Sequence, residues 1–574
     1  MINRRELVRA GSAAAAFGLA SQARAAAAPL IADVVVIGAG AVGLTAAIVA
    51  REAGASVIIL EAEADIGGHA ACSGGNIPLG GGTSVQKKNG VQDSPDLLFR
   101  DLTDWSVTGP NGAADYRYND REVIRAFADH SAQTFEFLLA HGVVFQDRAP
   151  DGRGGLGVGA SVARTMHAVP VDWPRTETGR PVAPEDRLTL STGTGLVRPL
   201  EAAVRKLGVP ILLEHRMTSL VRQARDGRIT GVIATAHGRI LNVRARKAVI
   251  LGTGGSTGNV EFRRMFDPRL TEEYQLAGMP WSNQDASGEL AAVGVGASLW
   301  GLTNYSAENG WVVTKAGRIG CRYGYTNLVW QPGSRVWDRA RASGLAVGSW
   351  QNAIMVNMLG RRFYDETGGQ FSGNSPSAIT GYVQDDWRNS GKVAYRPANF
   401  LNAAMAGIGD GKNGGGPIWA IFDADAVTRE KWSPTAPNVD EAGYFYSAPT
   451  LAELARKIAN PHQRVPMPPE GLEATVARYN GFVDAGLDAD FAKPKPLYKI
   501  ARGPFYAAWA TPVIHDCRAG LRINGKGQVL DMTGKAIPGL YCGGESAGGF
   551  SQHGLARATC QGFIAGTNAA AEKA

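Results

Sequence analysis

The unit that most constrains this chain runs from Asp33 to Glu61. Asp33-Val34-Val35-Val36-Ile37 reads as a short buried strand, and Gly38-Ala39-Gly40-Ala41-Val42-Gly43 follows directly. Leu44–Ala53 then has a helical pattern, and Ser56–Leu60 is a second strand ending at Glu61. In such a unit the first glycine makes the turn, the second admits a pyrophosphate, and the third lets helix pack on strand. The unpaired N–H groups at the helix start favour phosphate. Glu61, followed by Ala62, stands where an acid binds ribose hydroxyls. Gly38, Gly40, Gly43, Glu61 and Ala62 are therefore the expected lining of a dinucleotide cradle.

A chain of 574 residues is too long for one compact domain. Hydrophobic residues at 44% and charged residues at 19% fit a folded globular protein and exclude a mainly disordered chain or a coiled coil. No long apolar run points to a polytopic membrane protein. Glycine, at 74 residues, is about twice as frequent as usual, as expected where backbone approaches a ligand closely. The net charge is +7, and Arg4, Arg5, Arg9 and Arg24 against Glu6 supply +3 of it within the first 25 residues. The remaining bias is too mild and too scattered for a nucleic-acid surface. The five cysteines include no C-x-x-C pair, so neither a zinc site nor any other metal site is expected, and no C-x-x-C-H announces a haem of the chain's own.

Residues 1–28 read as an address. Arg4-Arg5 precede an alanine-rich run from Ala10 to Ala23, and Ala23-Arg24-Ala25 offers a small-x-small cleavage site. This is the pattern of a twin-arginine signal, which carries folded, cofactor-loaded proteins to the periplasm. A basic amphipathic helix is the alternative.

Further glycine signals follow the cradle. Gly67-Gly68 and His69 come soon after Glu61, then Ser73-Gly74-Gly75. Val249-Ile250-Leu251-Gly252-Thr253-Gly254-Gly255 is a strand ending in glycines. Near the far end, Gly525–Asp531 reads as a hairpin tip, Ile537–Glu545 as a strand entering a glycine-rich turn, and Gly562–Ala571 as a small-residue helix. With Gly360-Arg361-Arg362-Phe363, these pieces stand in one family's order. The chain resembles the fumarate reductase/succinate dehydrogenase flavoprotein superfamily, which includes 3-ketosteroid dehydrogenases.

The resemblance implies an α/β protein: a Rossmann-type FAD-binding domain split by an inserted α+β substrate cap. The expected boundaries are 30–300 and 504–574 for the two FAD parts and 301–503 for the cap. Aromatic residues crowd the cap's start, among them Trp300, Tyr305, Trp311, Tyr323, Trp337 and Trp350, as either a core or a substrate pocket. Gly67, Gly68, His69, Ser73, Gly74, Gly75, Thr253, Gly254, Asp285, Glu545 and Gly562 join the cradle residues as FAD contacts. Asp285 would stand in for an aspartate that the family has at the place of Ser287. Non-covalent FAD is the expected mode, with covalent attachment through His69 the alternative, as in membrane-bound relatives.

For the chemistry, the resemblance carries over a histidine and an arginine that clamp the substrate, at His515 and Arg557. His553 is a further candidate. The core-histidine and surface-cation alternatives stay open for His515 and Arg557. The family's proton-giving group, seven residues after Phe363, is Gln370 here, which has no proton to give. Tyr382, Tyr305, Tyr364 or His553 could take that role. The implied activity is FAD-dependent hydride transfer at a carbon–carbon bond next to a carbonyl or carboxylate of a small organic substrate. Electrons would pass to or from a separate cytochrome, a quinone-linked protein or oxygen. FAD-dependent oxidation of a secondary or aromatic alcohol, and a flavin electron carrier without substrate chemistry, are the competing readings.

Overall fold

The computed structural model describes residues 30–103, 119–152, 161–171, 192–266, 274–279, 281–300, 311–314, 316–323, 337–363, 365–367, 417–550 and 554–574. The fold is mixed α/β. Strand β1 (Leu30–Ile37) leads into helix α1 (Ala41–Glu52), and β2 (Val57–Leu60) returns parallel to β1, pairing Val34 with Val57 and Ile37 with Leu60. On its other side β1 pairs in parallel with β3 (Arg239–Leu251), and β3 in turn with β4 (Ala536–Cys542). Val34, Val35 and Val36 are fully buried, as expected of a parallel strand covered on both faces. Strands from the start, middle and end of the chain thus share one eight-stranded sheet, whose main path runs Gln528–Leu530, β4, β3, β1, β2, Ile211–Leu212.

Helix α2 (Leu555–Ala571) lies against α1. A Cβ at Gly562 would come within 2.6 Å of Val42 O, and one at Gly566 within 2.6 Å of Ala46 O. Only glycine permits so close an approach of two helix backbones. Gly562, expected at the cofactor, is accounted for by this packing.

A second, antiparallel sheet is ordered Ile354–Val356, Trp419–Asp423, Phe505–Trp509, Phe445–Ala448. Phe505–Trp509 lies beyond residue 503 yet sits inside this sheet, because its alternating apolar side chains complete that core: Trp419 and Trp509 meet edge to face at 5.6 Å. Helix Pro469–Ala485 covers the sheet. Between them runs a buried ionic chain. Arg362 pairs with Glu366 at 2.7 Å and with Asp488 at 2.9 Å, and Lys493 lies 3.2 Å from Glu366. Burial alone would raise the Glu366 pKa, but Arg362 and Lys493 bring it down to about 2. Removing one partner of such a buried group typically costs about 3–5 kcal/mol. The chain therefore clamps Arg362 and Phe363 in place.

Of the crowded aromatic residues, Tyr323 is buried in the core of the first sheet, while Trp350 packs on the second core; Tyr305 lies outside the described residues. All five cysteines are buried free thiols. Among the described residues no helix is long and apolar enough to cross a membrane.

Candidate active site

The glycines of the first turn have distinct tasks. Gly38 has φ +96°, and a Cβ there would stand 2.3 Å from Gly252 O; one at Gly43 would stand 1.8 Å from Gly38 O. These two close the turn against β3 and α1. Gly40 differs: a Cβ there would meet nothing nearer than Gly67 O at 3.8 Å. The space beside it is open, at the start of a twelve-residue helix with no side-chain cap. That is room and charge for a diphosphate. Gly67 N donates to Ala39 O at 3.0 Å, so the second glycine loop is tied to the first.

Glu61 is buried at the end of β2. It accepts from Ala39 N at 2.7 Å and from Glu63 N at 2.9 Å. Burial raises its pKa to about 7, against the pull of the two backbone N–H donors. Ala62 follows, half-buried. Glu63, which the sequence pattern did not single out, is paired with Arg216 and Arg339.

The other expected contacts gather nearby. Ser73 Oγ donates to Ala70 O and accepts from Gly75 N, which shapes the Ser73-Gly74-Gly75 turn. Thr253 Oγ1 and Ser546 Oγ are 2.9 Å apart. Gly254 takes φ +88°, and its carbonyl accepts from Gln284 Nε2 at 2.8 Å. Asp285 accepts from Ser287 N at 3.0 Å and pairs with Arg216, so both its oxygens already serve the protein. Gln284 was not foreseen. It takes φ +45°, unusual for glutamine, and donates to Glu545 Oε2 at 2.8 Å.

Glu545 joins the two ends of the site. His69 Nδ1 lies 3.0 Å from Glu545 Oε2. Burial would lower the His69 pKa, but Glu545 and Asp516 together raise it above its ordinary value. Potential ligand atoms of His69, Asp516 and Glu545 all lie within 4.8 Å of one another. Arg518 Nη2 is 3.5 Å from Asp516 Oδ2, and both side chains are buried.

Arg557, in the first turn of α2, is 2% exposed and so is no surface cation. Its Nη1 donates to Cys517 O at 3.3 Å and its Nη2 to Ala547 O; Nε is buried with no partner among the described residues. Burial, and then neighbouring Arg518, bring its pKa down to about 10, which leaves it charged at neutral pH. His515 stands in strand Val513–Cys517, where the pairing with Trp311–Thr314 skips it as a bulge. The His515 side chain, and His553, Tyr382, Tyr364 and Gln370 entirely, lie outside the described residues.

Glu289 is fully buried, and neither carboxylate oxygen has a partner among the described residues. Burial, then Asp285 and Glu545, push its pKa up to about 8. The folded chain thus keeps a proton that the unfolded chain releases from about pH 4.5 upward, so stability falls as pH rises through that window and the cost is complete above about pH 8. Denaturation midpoints of the wild type and Glu289→Gln should change in parallel below about pH 4 and diverge toward pH 9, with the variant gaining on the order of 5 kcal/mol. Midpoints that run parallel across the whole range would show that Glu289 does not carry that proton.

These residues leave room for a dinucleotide at the glycine turns and bring charged groups together beside them. The chain is 25% identical to a 3-oxosteroid 1-dehydrogenase of Mycolicibacterium smegmatis, covering 89% of this chain and 91% of that one. It is 27% identical to a fumarate reductase (cytochrome) of Shewanella frigidimarina, covering 92% and 73%. The crystal structure of 3-ketosteroid delta1-dehydrogenase from Sterolibacterium denitrificans in complex with 1,4-androstadiene-3,17-dione shares the fold, with a TM-score of 0.60 at 21% identity over 94% of this chain and 99% of that one. Residues 33–559 match the FAD binding domain family, and the protein belongs to that family of FAD-dependent oxidoreductases.

Proposed function

We propose that the protein transfers hydride at a carbon–carbon bond next to a carbonyl or carboxylate, either reducing a double bond or desaturating a single one. The observation that carries this is the cluster of buried Arg557, Arg518 and Asp516 with half-buried Glu545 and His69, gathered beside the glycine turns. Bound FAD supplies the hydride acceptor or donor. Gly38, Gly40 and Gly43 would hold its diphosphate and Glu61 a ribose, with Gly67, Gly68, His69 and Thr253–Gly254 along the rest. Arg557 would hold the substrate oxygen and stabilise negative charge there as hydride moves. The likeness to a 3-oxosteroid dehydrogenase and to a fumarate reductase supports this chemistry.

Residues 30–300 form the first part of the cofactor-binding half. The substrate cap begins at about residue 301, and because Phe505–Trp509 is knitted into the second sheet, the cofactor half resumes after Trp509. FAD is held non-covalently, and a separate redox partner exchanges electrons with it. Arg4-Arg5 and the alanine-rich run support twin-arginine export to the periplasm. Lysine at both positions should leave FAD-loaded protein in the cytoplasm, and an unchanged periplasmic yield would remove this reading.

The decisive experiment is anaerobic. Dithionite-reduced holoenzyme should be reoxidised by enones or enoates, or the oxidised flavin bleached by the saturated compounds. Bleaching by aromatic alcohols alone would favour alcohol oxidation, and no response to any small molecule would leave an electron carrier.

A further inference from the structure

We infer that Arg216 is a further cofactor-binding residue, which offers its guanidinium plane to the adenosine of FAD. The inference rests on the proposed placing of a ribose at Glu61. Arg216 opens strand Arg216–Arg222, and the chain reaches it along the acid loop: Glu214 N donates to Glu63 O at 3.0 Å and His215 N to Glu61 O at 2.8 Å. The charge of Arg216 reaches the Glu61 carboxyl and draws it toward its ionised form, against the effect of burial.

Two acids fix that guanidinium. Its Nη1 donates to Asp285 Oδ2, and its Nη2 stands 3.5 Å from Glu63 Oε1. Asp285 is itself held, accepting from Ser287 N at 3.0 Å, and Glu63 is shared with Arg339. Both ends of the fork are tied, yet the side chain stays 37% exposed. Arg216 also bridges two turns that bear on the cofactor. One is Glu61–Glu63, and the other is Gln284–Ser287, whose Gln284 donates to Gly254 O at 2.8 Å. Glu63 and Asp285 match the charge of Arg216, so what it offers a ligand is its plane more than its charge. A planar group, fixed in place with an open side next to a ribose acid, suits the face of a purine base. Asp285, expected to touch FAD itself, serves here by fixing Arg216.

The test uses FAD-free full-length protein, with ADP and FMN as probes for the two halves of FAD. ADP binding is read by calorimetry and FMN binding by flavin fluorescence. Arg216→Ala should lower the affinity for ADP about tenfold and leave that for FMN unchanged. Arg216→Lys keeps a positive charge between Glu63 and Asp285 but loses the plane, so it should show the same loss, and it serves if the alanine variant folds poorly. Unchanged ADP affinity in both variants overturns the inference, as does full ADP affinity in the lysine variant. An equal loss for ADP and FMN also overturns it, since Arg216 would then be a support of the fold. ADP bound by the wild type, lost in Gly40→Val and unchanged in Arg216→Ala would sink this inference and leave the cradle standing. A wild type that binds FMN but not ADP would overturn the cradle reading, and this inference with it.

Discussion

Replacing Arg557 by alanine is expected to slow flavin reduction and reoxidation by substrate about a hundred- to a thousandfold, the usual cost of losing one preorganised donor, roughly 2.7–4 kcal/mol. The side chain is buried and held by two main-chain carbonyls, so its charge sits in a fixed place and does not reorganise during reaction. Lysine should not restore the rate. One ammonium cannot serve Cys517 O, Ala547 O and a substrate oxygen at once. Flavin content should stay near that of the wild type, because the glycine turns belong to other segments. Stopped-flow half-reactions of both variants check this, and near-native rates in the alanine variant would reduce Arg557 to a support for the Ala547 turn.

Gly40→Val is expected to give a folded protein without FAD. The backbone at Gly40 has φ −83° and ψ −168°, which valine adopts without strain, and the nearest atom to a Cβ is 3.8 Å away. The protein itself therefore accommodates the side chain. Its methyl groups would fill the space at the start of α1 where the diphosphate fits. Circular dichroism should be unchanged while the flavin absorption of the purified protein is lost. Full FAD occupancy in this variant would show that the diphosphate lies elsewhere. Gly43→Ala tests something different, since a Cβ there would stand 1.8 Å from Gly38 O and distort the turn itself.

The contrast between these two glycines shows what was legible in the sequence. The β1–α1–β2 unit is local, and its glycines follow from contacts within the unit and with Gly252, so spacing alone disclosed it. The second half of α2 was legible as a run of small residues, but not that its glycines meet α1. Asp516, Arg518, Gln284 and Glu63 were not. Each is unremarkable in its own segment; Gln284 gains meaning from distant Glu545, Glu63 from distant Arg339 and Asp516 from distant His69, and Arg518 is drawn in through Asp516. Arg557 was found by its place after the glycine turn, but that place did not tell which way its guanidinium turns. Phe505–Trp509 fell within the returning part that the resemblance implied, whereas its pairing with Trp419–Asp423 is what fixes its sheet.

The glycine contacts between α1 and α2 bear on how the protein is made. The turn proposed for the diphosphate opens α1, and one face of α1 packs against Gly562 and Gly566. The first of those residues follows the end of α1 by 510 positions (562 − 52 = 510), so the packing that steadies the cradle's helix forms only when two distant segments meet.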